Sequence, residues 1–169
     1  MAGQFPDRTW GSRTNVLARL ASPIAATKAG SAVVKVLTPL DRKVLERSAG
    51  RYTLLGPIGA PILLLTTTGR HSGQQHTTPL LFVHDGDVLY VVGSNFGGDR
   101  HPDWTANLLS YPIATVTISG NYLAVHADPV TDVTEREEVF DRFIEISDAY
   151  DAYRDRTDRT MRMFALRQL

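Results

Sequence analysis

The sequence predicts an α+β fold in which an antiparallel barrel or half-barrel is flanked by helices. Three observations carry this. From residue 61 the apolar pattern becomes a series of short β-branched and aromatic runs separated by glycine- and proline-bearing turns. These runs follow one another in hairpin order, five or six in all. No strand–helix–strand alternation is visible, which argues against a doubly wound sheet. A dinucleotide-binding site of that kind is also excluded, because no G-x-G-x-x-G follows any strand.

Residues 1–12, rich in Gly, Pro and polar types, read as a frayed terminus. A helix is predicted at 15–29, where Leu17, Leu20 and Ile24 share one face. A second is predicted at 38–50: Thr38 as N-cap, Pro39 in the first turn, Leu40, Val44 and Leu45 on the apolar face, Gly50 as stop. Residues 1–50 thus form a helical arm ahead of a barrel domain at 51–169. Strands are predicted at 62–68, 77–84 and 88–93, with Asp85-Gly86-Asp87 as a hairpin turn. Residues 69–75 and 97–102 read as loops. A short helix at 103–110 ends before Pro112. Two more strands, 115–119 and 122–130, flank a Gly120-Asn121 turn. Thr134 and Glu137 form a capping box for a helix burying Val139, Phe140, Phe143 and Ile144. Residues 163–166 can supply a last strand.

Composition excludes several classes of function. The 169 residues are 43% hydrophobic and 21% charged, ordinary for one globular domain. With no cysteine, disulfides, thiolate metal sites and cysteine nucleophiles are absent. Pro23, Lys28 and Lys35 interrupt the Ala-rich segment, and no apolar run approaches the roughly 20 residues of a membrane span. A cytoplasmic protein is the default expectation. The net charge of zero hides an uneven distribution: residues 1–51 carry nine Lys or Arg against three Asp or Glu, and the remainder carries nine against fifteen. A solvated basic face explains such an arm most simply; contact with the inner face of an anionic membrane is the second reading. No nucleic-acid partner is expected. Histidines 71, 76, 84, 101 and 126 show no metal-ligand spacing, and no serine sits in a G-x-S-x-G turn.

Two stretches hold candidate chemistry. Residues 63–80 read L-L-L-T-T-T-G-R-H-S-G-Q-Q-H-T-T-P-L, a strand opening into a loop with two glycines, one fixed cation, two histidines and several hydroxyls. Backbone N–H groups in such a loop can cradle an anion, with Arg70 adding a bidentate contact. The same composition also suits an ordinary polar hairpin loop. Residues 93–108 read G-S-N-F-G-G-D-R-H-P-D-W-T-A-N-L, bringing Ser94, Asn95 and a helix start to one rim that can hydrogen-bond a flat polar ring. Trp104 there is of a type more often found in the core.

These two runs, in this order and separated by a hairpin, closely resemble the deazaflavin-dependent nitroreductase and F420H2-dependent quinone reductase family of actinobacteria. The resemblance runs from about residue 38 to the C-terminus and is sharpest between residues 63 and 109. It implies a split β-barrel, binding of coenzyme F420, and hydride transfer from the reduced coenzyme to a small electron-poor acceptor such as a quinone, nitroaromatic or activated enone. Carried over by position, Arg70, His71, Ser72, His76, Thr77, Thr78, Pro79 and Leu80 would face the phosphate and acidic tail. Val92, Gly93, Ser94 and Asn95, with Asp103, Trp104 and Asn107, would line the ring and ribityl chain. Tyr150 and Tyr153 match tyrosines that close over coenzyme and acceptor, and with Ser94 they are the candidate catalytic residues.

The chain departs from the family pattern where His71 and His76 replace the usual Lys or Arg, where Asn95 follows Ser94, and where Arg156 stands at the spacing of a third tyrosine. Histidine ordinarily titrates near pH 6.5, so the resemblance implies coenzyme binding that tightens as pH falls from about 8 to 6. The depleted cations leave two alternatives open, a non-catalytic deazaflavin carrier and an FMN-binding split barrel. The oligomeric state is not legible.

Overall fold

The computed structural model describes residues 5–6, 43–44, 47–48 and 61–169. Seven strands form one antiparallel sheet: β1 (Ile62–Thr68), β2 (Gln75–Leu81), β3 (Val83–Asp85), β4 (Val88–Val92), β5 (Ile113–Ile118), β6 (Asn121–Pro129) and β7 (Met163–Gln168), in the order β2-β1-β5-β6-β7-β4-β3. From residue 61 onward it is joined by helices α1 (Asp103–Ser110), α2 (Val133–Ile146) and α3 (Ala149–Arg154), with a 3-10 turn at Asn95–Gly97.

The strand order itself requires the sheet to curl. Its two edges, β2 and β3, are separated in the chain by Phe82 alone. A flat sheet would hold those edges about 29 Å apart, six spacings of about 4.8 Å. One intervening residue spans about 7 Å. The sheet therefore rolls until its edges meet, yet β2 and β3 do not pair, and the result is a split barrel. Phe82 leaves the ladder, donates its N–H to Pro61 O at 3.2 Å and buries its ring inside. Pro79, which has no N–H to offer a ladder, sits on edge strand β2.

Side-chain alternation divides the apolar residues between two cores. Leu63 and Leu65, Leu89 and Val91, Val116 and Ile118, Val125, Phe164 and Leu166 fill the barrel, together with Trp104 and Leu108 of α1. The opposite faces of β4 and β7 present Tyr90, Val92, Met163 and Ala165 to Val139, Phe140 and Phe143 of α2 and to Tyr150 and Tyr153 of α3. Burial on both faces is why β4 and β7 read as continuous apolar runs. Polar contacts hold α2 in place: Tyr90 donates to Glu135 Oε1 at 2.8 Å, and Arg142 donates to His84 O at 2.6 Å.

Several local expectations change. The strand expected at 77–84 is two strands, divided where Phe82 turns inward. The β5–β6 turn centres on Ser119 and Gly120, both at positive φ (53° and 87°), one residue earlier than expected. Asp132, not Thr134, caps α2, accepting from Glu135 N at 2.8 Å. Aspartate is the stronger N-cap, and Asp132-Val133-Thr134-Glu135 holds its own capping spacing. The expected loop after Ser94 contains the 3-10 turn, and the segment from Tyr150 is helical. The terminus expected to fray sends Phe5 into the barrel core, where it is 2% exposed with its ring edge-on to His84. Of the helix expected at 38–50, Lys43, Val44 and Arg47 are described and helical. Ser48 is a turn, donating to Val44 O at 3.0 Å, and the other residues of that helix, the helix expected at 15–29 and the boundary expected at residue 50 lie outside the described residues. Among the described residues no helix is long and apolar enough to cross a membrane.

Candidate functional site

The two chemistry-bearing stretches meet. Arg70 N donates to Asn107 Oδ1 at 3.1 Å, and the Arg70 guanidinium reaches Asp103 Oδ1 at 3.1 and 3.2 Å. Asn107, 4% exposed, uses its other end to donate to Thr67 Oγ1 at 3.2 Å. One buried amide thereby joins β1, the loop at 69–74 and α1. Helix α1 can offer Asn107 because Pro102 and Pro112 confine it to a short segment that lays Trp104 and Leu108 on the barrel core. Thr66 and Thr77 share a hydroxyl hydrogen bond of 2.9 Å between β1 and β2.

The loop is not the vacant anion cradle its composition suggests. Gly69 N donates to Gln74 O (2.7 Å), Gly73 N to Gly69 O (2.8 Å), Gln74 N to Ser72 Oγ (3.2 Å), and Arg70 N to Asn107. The turn satisfies three of those donors itself, and Asn107 of α1 takes the fourth. Arg70 is likewise engaged with Asp103, although Asp103 is largely exposed and such a pair exchanges readily with a bound anion. His71, Ser72 and His76 are exposed, and Ser72 Oγ lies 3.4 Å from His76 Nε2. Thr77, Thr78, Pro79 and Leu80 follow, half-buried, along β2.

A better cradle forms after β4. Ser94 is in the right-handed helical region, and Asn95, Phe96 and Gly97 follow at φ of 47°, 56° and 72°. A right-handed residue followed by a left-handed one converges successive N–H groups, the geometry of an anion nest. A positive φ is costly for phenylalanine, and such strain collects at functional segments. Gly97 is obligatory here: a Cβ would lie 2.7 Å from Tyr153 O. At Gly93 a Cβ would lie 2.7 Å from Thr105 Cγ2, so β4 can approach α1 only through glycine. Val92, just before it, is buried in the second core.

The three catalytic candidates come together, but not as an exposed lid. Tyr150 and Ser94 share a hydrogen bond; burial, then Tyr153, raise the Tyr150 pKa well above the ordinary tyrosine value, against the opposing effect of Ser94. Tyr150 packs on Phe143 (5.1 Å between centroids) and Tyr153 (5.6 Å), and Tyr153 meets Phe96 edge-on at 5.7 Å. Ser94 is half-buried, while both tyrosines belong to the second core. Trp104 is turned into the barrel, 5.8 Å from Phe164, and is core rather than rim.

One residue escaped the sequence reading altogether. Arg159 donates to Gly98 O (2.8 Å), Gly93 O (3.1 Å) and Ser94 O (2.6 Å), and lies 3.2 Å from His101 Nδ1. Arg162 reaches Thr105 Oγ1 at 3.3 Å. Between residues 52 and 130 the sequence has only Arg70 and Arg100 as fixed cations; the fold brings more from about 60 residues away. No local signal could reveal this, since an arginine in a polar tail is ordinary.

His101 carries a pH prediction. Burial, then Arg162 and Arg159, hold its pKa below the usual histidine value. The unfolded chain takes up this proton near pH 6.5, while the folded chain resists until lower pH, so stability falls as pH drops through that value. Chemical denaturation of His101→Gln between pH 7 and 5 is expected to show a flatter loss than the parent. Parallel curves would remove His101 as a source of acid sensitivity.

Fold and rim together define the class: a split β-barrel carrying a polar, glycine-bearing rim built from residues 66–80 and 92–107. The model of the F420H(2)-dependent quinone reductase family matches residues 41–168, and the chain belongs to that family. It is 34% identical over 94 residues to an F420H(2)-dependent quinone reductase of Mycobacterium tuberculosis, covering 56% of this chain and 63% of that protein. A second relative from the same organism, named as a putative F420H(2)-dependent quinone reductase, is 30% identical over 107 residues, 63% of this chain and 89% of the relative. The chain thus spans just under two thirds of the first relative's length. The structure of an F420-H2 dependent reductase (FDR-A) superposes with a TM-score of 0.57 at 31% identity, covering 63% of this chain and 93% of that one. A domain-swapped dimer superposes at 0.60 with 27% identity, covering 79% and 98%.

Proposed function

We propose that this chain binds reduced coenzyme F420 along the rim at residues 66–80 and 92–107 and reduces a quinone-type acceptor beside it. The carrying observation is the junction of Arg70 with Asp103 and Asn107, which joins the two stretches into one wall. The residues present fit such a ligand. The Ser94–Asn95 nest suits the polar edge of a flat ring, and the Thr66, Ser72 and Thr77 hydroxyls suit a ribityl and phosphate chain. When bound, the coenzyme supplies a hydride to an electron-poor carbon or oxygen system.

The protein's own contribution is positioning and polarity. Ser94 holds a hydroxyl at the rim, and Tyr150, bonded to it from the dry side, fixes its direction. Such an oriented donor stabilises negative charge developing on an acceptor oxygen. Tyr150 therefore acts through Ser94 as a positioning residue, and Tyr153 braces Phe96 beside the nest. Mixing the protein with reduced deazaflavin and a naphthoquinone, and following reoxidation, tests the reading. Ser94→Ala is expected to lower turnover about 10²-fold, of the order seen when one oxyanion donor is removed, with coenzyme affinity changed much less. Reoxidation no faster than without protein would favour a carrier, and tighter binding of FMN than of deazaflavin would replace the coenzyme assignment.

A further inference from the structure

We propose that a second ligand site lies between α2, α3 and the segment leading into β7, and that it takes a small aromatic carboxylate. The cleft there has a volume of about 110 Å³. An apolar cavity of roughly 150 Å³ accepts benzene, so one six-membered ring is the right size if its polar end faces the opening. Phe140, Met161 and Met163 are buried and line its floor. Methionine side chains adapt to a flat ring and make favourable sulfur–aromatic contacts.

The rim supplies the charge. Arg136, Arg154 and Arg159 border the cleft against one acidic residue, Glu137. Arg154 is committed, 2.8 Å from Asp151 Oδ1 and 5.3 Å above the Phe140 ring. Arg159 is committed to the carbonyls of Gly93, Ser94 and Gly98. Arg136 differs: it is half-buried, and its guanidinium has no hydrogen-bond or ion-pair partner among the described residues. An unpaired guanidinium over an apolar floor matches a planar carboxylate with a ring behind it. A neutral ring would leave Arg136 unanswered, and inorganic phosphate would leave the apolar floor unfilled.

This cleft is separate from the coenzyme rim, for none of its lining residues falls within 66–80 or 92–107. The two touch through Arg159, which lines the cleft while holding the Ser94 carbonyl. The inference does not depend on the reductase reading and is tested without coenzyme. The full-length protein is titrated with benzoate, benzyl alcohol and inorganic phosphate, followed by two-dimensional NMR. Benzoate is expected to give saturable shifts centred on Phe140, Thr160 and Met161, binding at least tenfold more tightly than either comparator. Arg136→Gln should weaken benzoate at least tenfold and leave benzyl alcohol within twofold. Thr160→Phe, placed at an exposed position on the rim, should block benzoate without lowering the melting temperature. Absence of saturation, shifts confined to residues 66–107, phosphate binding as tight as benzoate, or an Arg136→Gln protein of unchanged affinity would each overturn it.

Discussion

Replacing Asn107 with alanine is expected to lower stability by about 2–3 kcal/mol, because a buried amide that satisfies two partners disappears. The side chain accepts from Arg70 N and donates to Thr67 Oγ1, and Thr67 in turn reaches His76 O at 3.5 Å. Alanine leaves the part-buried Arg70 N–H without its acceptor and the buried Thr67 hydroxyl without its donor. For a chain of this length the melting temperature should fall by roughly 4–12 °C. Amide exchange should quicken first at Arg70 and its loop neighbours, since Asn107 holds that loop to α1. A mutant within about 0.5 kcal/mol of the parent, with unaltered loop exchange, would show that the junction contributes little. If the proposed coenzyme site is correct, affinity for the deazaflavin should fall together with loop protection.

Arg159→Met is the second change with a large expected effect. It keeps the apolar stem but removes donors to the carbonyls of Gly93, Ser94 and Gly98. Hydrogen bonds from a charged group contribute about 1.5–3 kcal/mol each, and three sharing one guanidinium are not additive, so about 2–4 kcal/mol is expected. Lysine should recover less than half of this, since a single ammonium cannot match the planar fork. The functional consequence lies in the segment around Ser94, whose carbonyl Arg159 holds at 2.6 Å. Turnover in the naphthoquinone assay should fall at least tenfold in Arg159→Met, and Arg159→Lys should lie between it and the parent. Full turnover in a folded Arg159→Met protein would mean that the segment keeps its shape without the arginine.

Much of this was legible in the chain. Ile62–Thr68 and Asp103–Ser110 were bounded by local chemistry alone: β-branched residues for the first, Pro102 and Pro112 for the second. The two candidate stretches could be read because their residues are contiguous. Asp132 was readable too, since the stronger cap stood two residues before the expected one. What the loop does with its N–H groups was not readable, because composition does not reveal that Gly69 and Gly73 bond within the turn and to Gln74.

By itself, then, the sequence determined most of the strand segments, helices α1 and α2, the Asp85-Gly86-Asp87 turn and the two contiguous stretches that hold candidate chemistry. Each follows from side-chain period or turn chemistry within a few residues. Only the tertiary structure decided that β7 inserts between β6 and β4, that Phe5 joins the barrel core, and that Arg159 secures a segment more than 60 residues earlier. Those contacts form when the rolled sheet brings distant segments together, and no local pattern encodes which distant partner a strand edge or a guanidinium will meet. The tyrosines show the same division. The resemblance marked Tyr150 and Tyr153 as a pair, and packing against α2 places both in the second core, with Tyr150 bonded to Ser94.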